Sequence, residues 1–136
     1  MYASVDDMVR RFGEVEMIRL TTPDGQDAET VQRDPAERAL IDASGVIDGY
    51  LRKRYQVPME IAPQEVQRAA CMLARYDLQL GEQKNPSQQA KDERDSVMRW
   101  LRDISEGKVL LDLAEVSPGD DSFAQYADRP TVFGRC

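Results

Sequence analysis

Residues 34–51 read DPAERALIDASGVIDGYL, and this stretch carries the clearest helix start in the sequence. Asp34 is a good N-cap, Pro35 suits the first helical position, and Glu37 falls in the first turn. Apolar residues then recur at spacings of three and four, as on one face of a helix. They are Ala36, Leu40, Ala43, Ile47, Tyr50 and Leu51, with Ile41 and Val46 widening the stripe. The pattern predicts a helix over about residues 35–55.

Two further segments also have a proline at the start of an apolar-periodic run, and each run is followed by a glycine. Pro63 and the pair Asn85-Pro86 each precede an apolar-periodic run, and Gly81 and Gly107 follow these runs. Proline favours the first helical turn and glycine favours the residue after the last one, so helices are predicted over 63–80 and 86–106. The apolar residues of the first run are mostly small, which suits a central helix packed on more than one side; they are Val66, Ala69, Ala70 and Leu73.

A short helical unit is predicted before residue 21. Ser4 can cap its first turn, Asp7 lies three residues further on, and Gly13 interrupts the pattern. The predicted fold is therefore all-α: a small bundle of three main helices plus a short N-terminal helical unit over residues 1–107. An extended C-terminal arm is predicted over residues 108–136.

The arm has a different pattern from the helices. Val109, Leu111 and Leu113 alternate with Leu110 and Asp112, which suits a short strand or an extended segment. More large apolar residues follow at its far end; they are Phe123, Tyr126, Val132 and Phe133. Because burial of such side chains is favourable, the arm either folds back on its own domain or lies across a neighbouring subunit. The sequence leaves both destinations open.

The composition argues against an enzyme. The 136 residues are 41% hydrophobic and 32% charged, which is typical of one soluble globular domain, and they include no histidine. The absence of histidine excludes Ser–His–Asp triads, Cys–His pairs and His-bearing zinc sites. No GxxxxGK[ST], GxGxxG or GxSxG motif is present. We expect no catalytic residue, no cofactor and no metal site.

The cysteines and the hydropathy pattern predict a compartment. Cys71 lies in an apolar-periodic run and is expected to be buried, and Cys136 is expected to be a free thiol, which favours a reducing environment. The opening residues lack the basic and apolar regions of a secretory signal. No apolar run approaches the roughly 20 residues that span a membrane. The sequence therefore predicts a cytoplasmic protein, unless it is built into a larger particle.

One basic cluster, Arg52-Lys53-Arg54, lies at the end of the first predicted main helix. It can contact nucleic-acid phosphate or an acidic partner, or it can complement the negative C-terminus of its own helix. The net charge of −7 opposes duplex DNA binding, and the acidic N-terminal unit offers no base-reading helix. Sequence-specific nucleic-acid binding is therefore not expected.

Several ordered motifs resemble a Mu-like prophage protein family long described as of unknown function. They are MYASVDDM (1–8), RFG (11–13), ALIDAS (39–44), IDGYL (47–51), RYQVP (54–58), ACMLARY (70–76) and WLRDISEG (100–107). The resemblance runs from Met1 to about Leu113, and RPTVF (129–133) is similar to tails in that family. The layout of the family also resembles the small helical head–tail connector, or adaptor, proteins of tailed phages.

That second resemblance implies a structural virion protein at the head–tail junction, assembled in the host cytoplasm. Its implied partners are further copies of itself in a ring, the portal, and tail-side phage proteins. The candidate interface residues are Arg52, Lys53, Arg54, Leu110, Leu111, Leu113, Arg129, Val132 and Phe133. The alternative is a small cytoplasmic helical regulatory or protein-binding module of phage or bacterial origin.

Overall fold

The computed structural model describes residues 1–23, 25–83 and 85–111. Within these residues there are five helices and no strand, so the all-α prediction is confirmed. The helices are α1 (Val5–Phe12), α2 (Glu14–Thr21), α3 (Arg33–Leu51), α4 (Gln64–Gln83) and α5 (Gln88–Ser105). No helix of the described residues is long and apolar enough to cross a membrane.

Helix α4 lies at the centre of the fold. It packs against α3 on one side, α5 on another and α2 on a third. As a result, the six consecutive residues 69–74 are all buried, whereas a helix with a solvent face would expose some of them. The predicted central helix is therefore confirmed.

The two helices of the N-terminal unit are separated as the sequence predicts. The Ser4 hydroxyl accepts a hydrogen bond from the Asp7 backbone N–H at 3.0 Å, and the Asp7 carboxylate accepts one from the Ser4 N–H at 2.8 Å. This reciprocal pair is a capping box, and its backbone bond lowers the pKa of Asp7. Gly13 then turns the chain with a φ of 95°, a value that glycine adopts readily.

Four predicted helix boundaries are wrong by a few residues, and one of them is the end of α3, which ends at Leu51 and not near residue 55. Helix α3 begins at Arg33, not after Asp34, because the Gln32 N–H is held by the Thr21 hydroxyl at 2.9 Å and fixes the chain there. Helix α4 continues through Gly81 to Gln83. Helix α5 begins after Ser87, whose hydroxyl accepts from the Ala90 N–H at 3.1 Å, two residues beyond the predicted Asn85 cap.

The end of the bundle where α3 ends, α4 begins and α5 ends is here called the exit end (residues 52–63 and 106–111). Gly107, with a φ of 82°, closes α5 there. In the chain that follows, neighbouring side chains differ in burial: Leu110 is 73% exposed, whereas Leu111 is buried in the core. These last described residues form no strand. The rest of the arm, including Leu113, Arg129, Val132 and Phe133, lies outside the described residues.

Candidate assembly surfaces

The basic cluster lies at the exit end, and its three side chains are exposed. The Arg54 Nε donates to the Ser105 carbonyl oxygen at 3.3 Å, so this guanidinium complements the C-terminus of α5 rather than that of α3. The contact is close: a Cβ atom built on Gly107 would lie 2.7 Å from Arg54 Nη2. Arg52 and Lys53 remain exposed beside it.

Tyr55 fixes the point where the chain leaves the bundle. Its hydroxyl accepts a hydrogen bond from the Leu111 backbone N–H at 3.0 Å. Leu111, one of the candidate interface residues, is therefore part of its own domain and offers no free surface in this structure. Leu110 is exposed instead, and the loop before α4 carries another exposed apolar side chain, Ile61, which is 64% exposed.

Hydrogen bonds from Tyr2 hold the N-terminus against α3 and the loop that follows α3. The Tyr2 backbone N–H donates to the Ser44 hydroxyl at 2.9 Å, and its phenol donates to the Asp48 carboxylate. The phenol oxygen also accepts from the Met59 backbone N–H at 2.8 Å. Burial, reinforced by the neighbouring Asp48, raises the pKa of Tyr2 to about 12. Sequence reasoning missed this junction, because no local pattern signals bonds that join residues more than 40 positions apart.

Arg75 joins the N-terminal unit to the bundle. Its guanidinium pairs with Glu16 of α2 at 2.8 Å and with Glu93 of α5 at 3.2 Å. It also lies over the Phe12 ring, 4.5 Å from the centroid. The Arg75 side chain is only 12% exposed, so one α4 residue connects three other helices. Sequence reasoning did not single out this residue either.

The solvent side of α3 is uncovered along much of its length. This α3 outer face comprises Ile41, Asp42, Gly45, Val46 and Gly49, all exposed. The expectation that Ile41 and Val46 widen the buried stripe is wrong: they are 57% and 42% exposed. The stripe buried by α4, α5 and the N-terminal unit lies on the opposite side of the helix, and no atom lies within 4 Å of a Cβ built on either glycine.

Two open grooves lie elsewhere on the described surface. The larger, about 540 Å³, has Arg68, Asp92 and Glu93 among its lining residues and carries mixed charge. The smaller, about 370 Å³, lies beside Cys71. Burial raises the pKa of the Cys71 thiol, as expected for an inert core cysteine. Over residues 1–23, 25–83 and 85–111, no group of three or more potential metal ligands comes together.

The described residues define a small all-helical protein, and comparison with known proteins gives its family. The family model described as Bacteriophage Mu, Gp36 matches residues 2–125, and the chain belongs to this family. The chain is 32% identical to Gene product J of Escherichia phage Mu, over 98% of the chain and 94% of that protein. It is 28% identical to the Mu-like prophage FluMu protein gp36 of Haemophilus influenzae, over 85% of the chain and 78% of that protein. The predicted Mu-like prophage family is confirmed.

Proposed function

We propose that this phage protein is a head–tail connector, or adaptor, that assembles into a ring beneath the portal and helps to join head to tail. The observation that carries the proposal is the exit end. Leu110, the residue before the last described one, is an exposed apolar side chain there, and Arg52 and Lys53 are exposed at the same end. The sequence continues with Leu113, and later with Val132 and Phe133.

Energetics favour a partner for this end. Full burial of one large apolar side chain is worth about 1.5–3 kcal/mol, so the exposed Leu110 and Ile61 represent a gain that the isolated domain does not realise. Exposed arginine and lysine at the same end suit the polar rim of a protein interface. The portal and tail-side proteins are the proposed partners there, and further copies of the chain complete the ring.

The charge of the protein suits a position on the path of DNA. A surface with net charge −7 repels phosphate, so a ring of such subunits would let DNA pass without adhering to it. The proposed location is therefore the head–tail junction of the virion, after assembly in the host cytoplasm. The proposal includes no sequence-specific nucleic-acid binding, no membrane association, no cofactor and no catalytic step, and purified protein should give no turnover in hydrolase and nucleotide screens.

The test removes the gene from the phage that encodes it and examines the particles by electron microscopy. We expect DNA-filled or leaking heads without tails, and tailed particles again when the wild-type gene is supplied. A chain truncated after Val116 should keep its thermal melting temperature but fail to restore tails. Normal tailed particles without the protein would overturn the proposal and favour the regulatory or protein-binding alternative.

A matched pair of substitutions tests the exit end itself. Leu110→Asp places a charge on the proposed interface, whereas Leu80→Asp places one on another exposed apolar side chain, 47% exposed against 73%, near the other end of α4. We expect only Leu110→Asp to lower the yield of tailed particles, with both variants folded. Equal yields from the two variants would show that the exit end does not contact a partner.

A further inference from the structure

We propose that the acidic part of the arm, residues 112–128, binds the basic exit end of its own chain and covers it until a partner displaces it. This inference rests on the proposed connector role, because it adds a regulation of the surface that the partners would bind. The sequence leaves the arm two destinations, its own domain or a neighbour. The charge of the exit end and the place where the arm begins favour its own domain in the free subunit.

The arm and the exit end carry opposite charges. Residues 112–128 contain five acidic residues and no basic one. The exit end, residues 52–63 and 106–111, contains four basic and two acidic residues, although residues 1–111 as a whole contain 16 basic and 20 acidic residues. The exit end is therefore a positive area on a negative domain, and it attracts an acidic segment.

Two positive groups of the exit end are available to such a segment. Lys108 lies 3.1 Å from the Glu106 carboxylate, so these two charges offset each other. Glu60, the other acidic residue of the exit end, lies in the loop before α4. Arg52 and Lys53 are exposed, and within the described part of the chain neither forms a salt bridge. A carboxylate of the arm can therefore bind them without displacing another partner.

The arm begins beside the basic cluster. The Leu111 backbone N–H donates to the Tyr55 hydroxyl at 3.0 Å, and the Arg54 Nε donates to the Ser105 carbonyl oxygen at 3.3 Å. The segment that carries the basic cluster thus lies against the segment from which the arm departs. Asp112 follows Leu111 directly, so the acidic part of the arm starts next to the positive groups.

The short connection favours the chain's own exit end over that of a neighbour. Asp120 follows Leu111 by nine residues, which span up to about 30 Å, and residues 117–119, Ser-Pro-Gly, favour a turn that reverses the chain before Asp120. A segment on so short a flexible connection has an effective concentration of about millimolar at its own domain. Free subunits in dilute solution meet one another at far lower concentration. The arm therefore binds its own chain before assembly, and a partner that binds the exit end must displace it.

Zero-length cross-linking with a carbodiimide tests the contact, because this reagent joins a lysine amine to a carboxylate that lies beside it. An equal mixture of isotope-labelled and unlabelled full-length chain is treated at low salt, and the linked peptides are identified by mass spectrometry. We expect Lys53 to be joined to acidic residues of 112–128 in peptide pairs of uniform label, which are links within one chain. The link between Lys108 and Glu106 is the positive control. Lys91, near the start of α5 at the other end of the bundle, should give no link to the arm.

A pair of charge reversals tests whether charge holds the arm. Arg52→Glu should lower the yield of Lys53 links to the arm by about two- to fivefold, as expected for the loss of exposed ion pairs. Arg38→Glu, at an exposed position nearer the start of α3, is the matched control and should leave the yield unchanged. Equal yields from the two variants, or a yield that does not fall in about 0.5 M NaCl, would overturn the inference.

Two other outcomes also overturn it. Lys53 links found only in pairs of mixed label would show that the arm binds a neighbour. Absence of any Lys53 link to the arm, in a sample where Lys108 is joined to Glu106, would show that the exit end is not covered.

The two proposals fail separately. Addition of the purified portal of the same phage should reduce the Lys53 links as the portal takes the exit end. Links that persist in the portal complex would show that the arm does not compete for that surface, while the connector role stands. If the portal does not bind, or if phage without the protein are normal, the connector role fails, whatever the cross-linking of the free chain shows.

Discussion

Replacing Arg75 with methionine should weaken the attachment of the N-terminal unit to α4 and α5. Methionine keeps much of the length of the side chain but removes the guanidinium, which binds Glu16, Glu93 and the Phe12 ring at once. Helices α1 and α2 would then be held to α4 by their apolar contacts alone. The substitution therefore tests whether this ion-pair network, rather than packing, fixes the N-terminal unit.

The expected loss of stability follows from burial. A hydrogen bond to a charged group contributes about 1.5–3 kcal/mol, and removing one partner of a buried ion pair costs about 3–5 kcal/mol. Glu16 and Glu93 keep 19% and 21% of their side-chain surface exposed, so water can solvate them in part after the change. We therefore expect a loss of about 2–4 kcal/mol in the free energy of unfolding.

Urea unfolding followed by far-UV circular dichroism measures this loss, with Arg10→Met as the matched control. Arg10 also pairs with a carboxylate, Asp7, but its side chain is 70% exposed, so its removal should cost less than about 1 kcal/mol. A cycle that adds Glu16→Gln should give a coupling energy of about 1–2 kcal/mol with Arg75→Met. Equal changes from Arg75→Met and Arg10→Met would refute the reasoning.

Three further predictions concern buried or coupled groups. Tyr2→Phe should cost about 1–3 kcal/mol, because a part-buried N–H and carboxylate lose their partner. Since the pKa of Tyr2 is raised from 10.0 to about 12, the wild type should lose stability as pH rises through that interval, and pH-dependent melting of Tyr2→Phe should lack this step. Leu73→Ala should cost about 2–5 kcal/mol in urea unfolding, and a smaller loss would show that the site collapses around the cavity. Asp77→Asn should raise the melting temperature at pH 7, because partial burial and, after it, the charge of Asp42 raise the pKa of Asp77 and so disfavour its ionised form. The gain in the free energy of unfolding should be no more than about 1 kcal/mol. This gain should vanish below pH 3.8, where the Asp77 carboxyl is protonated in both the folded and the unfolded chain. A gain that persists below that pH would have another cause.

The helices could be predicted from the sequence because their signals are local. Ser4 and Asp7 form the expected capping box, and the small residues of α4 form the expected central helix. The boundaries were less predictable, since the start of α3 depends on a tertiary hydrogen bond from Gln32 to Thr21, eleven residues away. A hydrogen bond that forms only after folding leaves no mark on the local pattern.

The contact surfaces were only partly predictable. The exposed position of Arg52 and Lys53 follows from their place after a helix, but the binding of Arg54 to the end of α5 required knowledge of which helices are neighbours. Ile41 looked like a core residue because a widened buried stripe and an exposed apolar face have the same spacing in sequence. Only the packing of α4 and α5 on the other side of α3 separates the two.

Because residues 69–74 are buried, hydrogen exchange in this part of α4 reports the stability of the whole domain. In a helix with a solvent face, backbone amides exchange their hydrogens with water through local openings. Here the neighbouring helices must first leave, so exchange at these six amides reports global unfolding. A partner that binds only the folded chain lowers the unfolded fraction, and with it the exchange rate, by a factor set by its affinity and concentration. Hydrogen exchange at the centre of α4 can therefore measure the strength of contacts made at the surface, without a label placed at the contact itself.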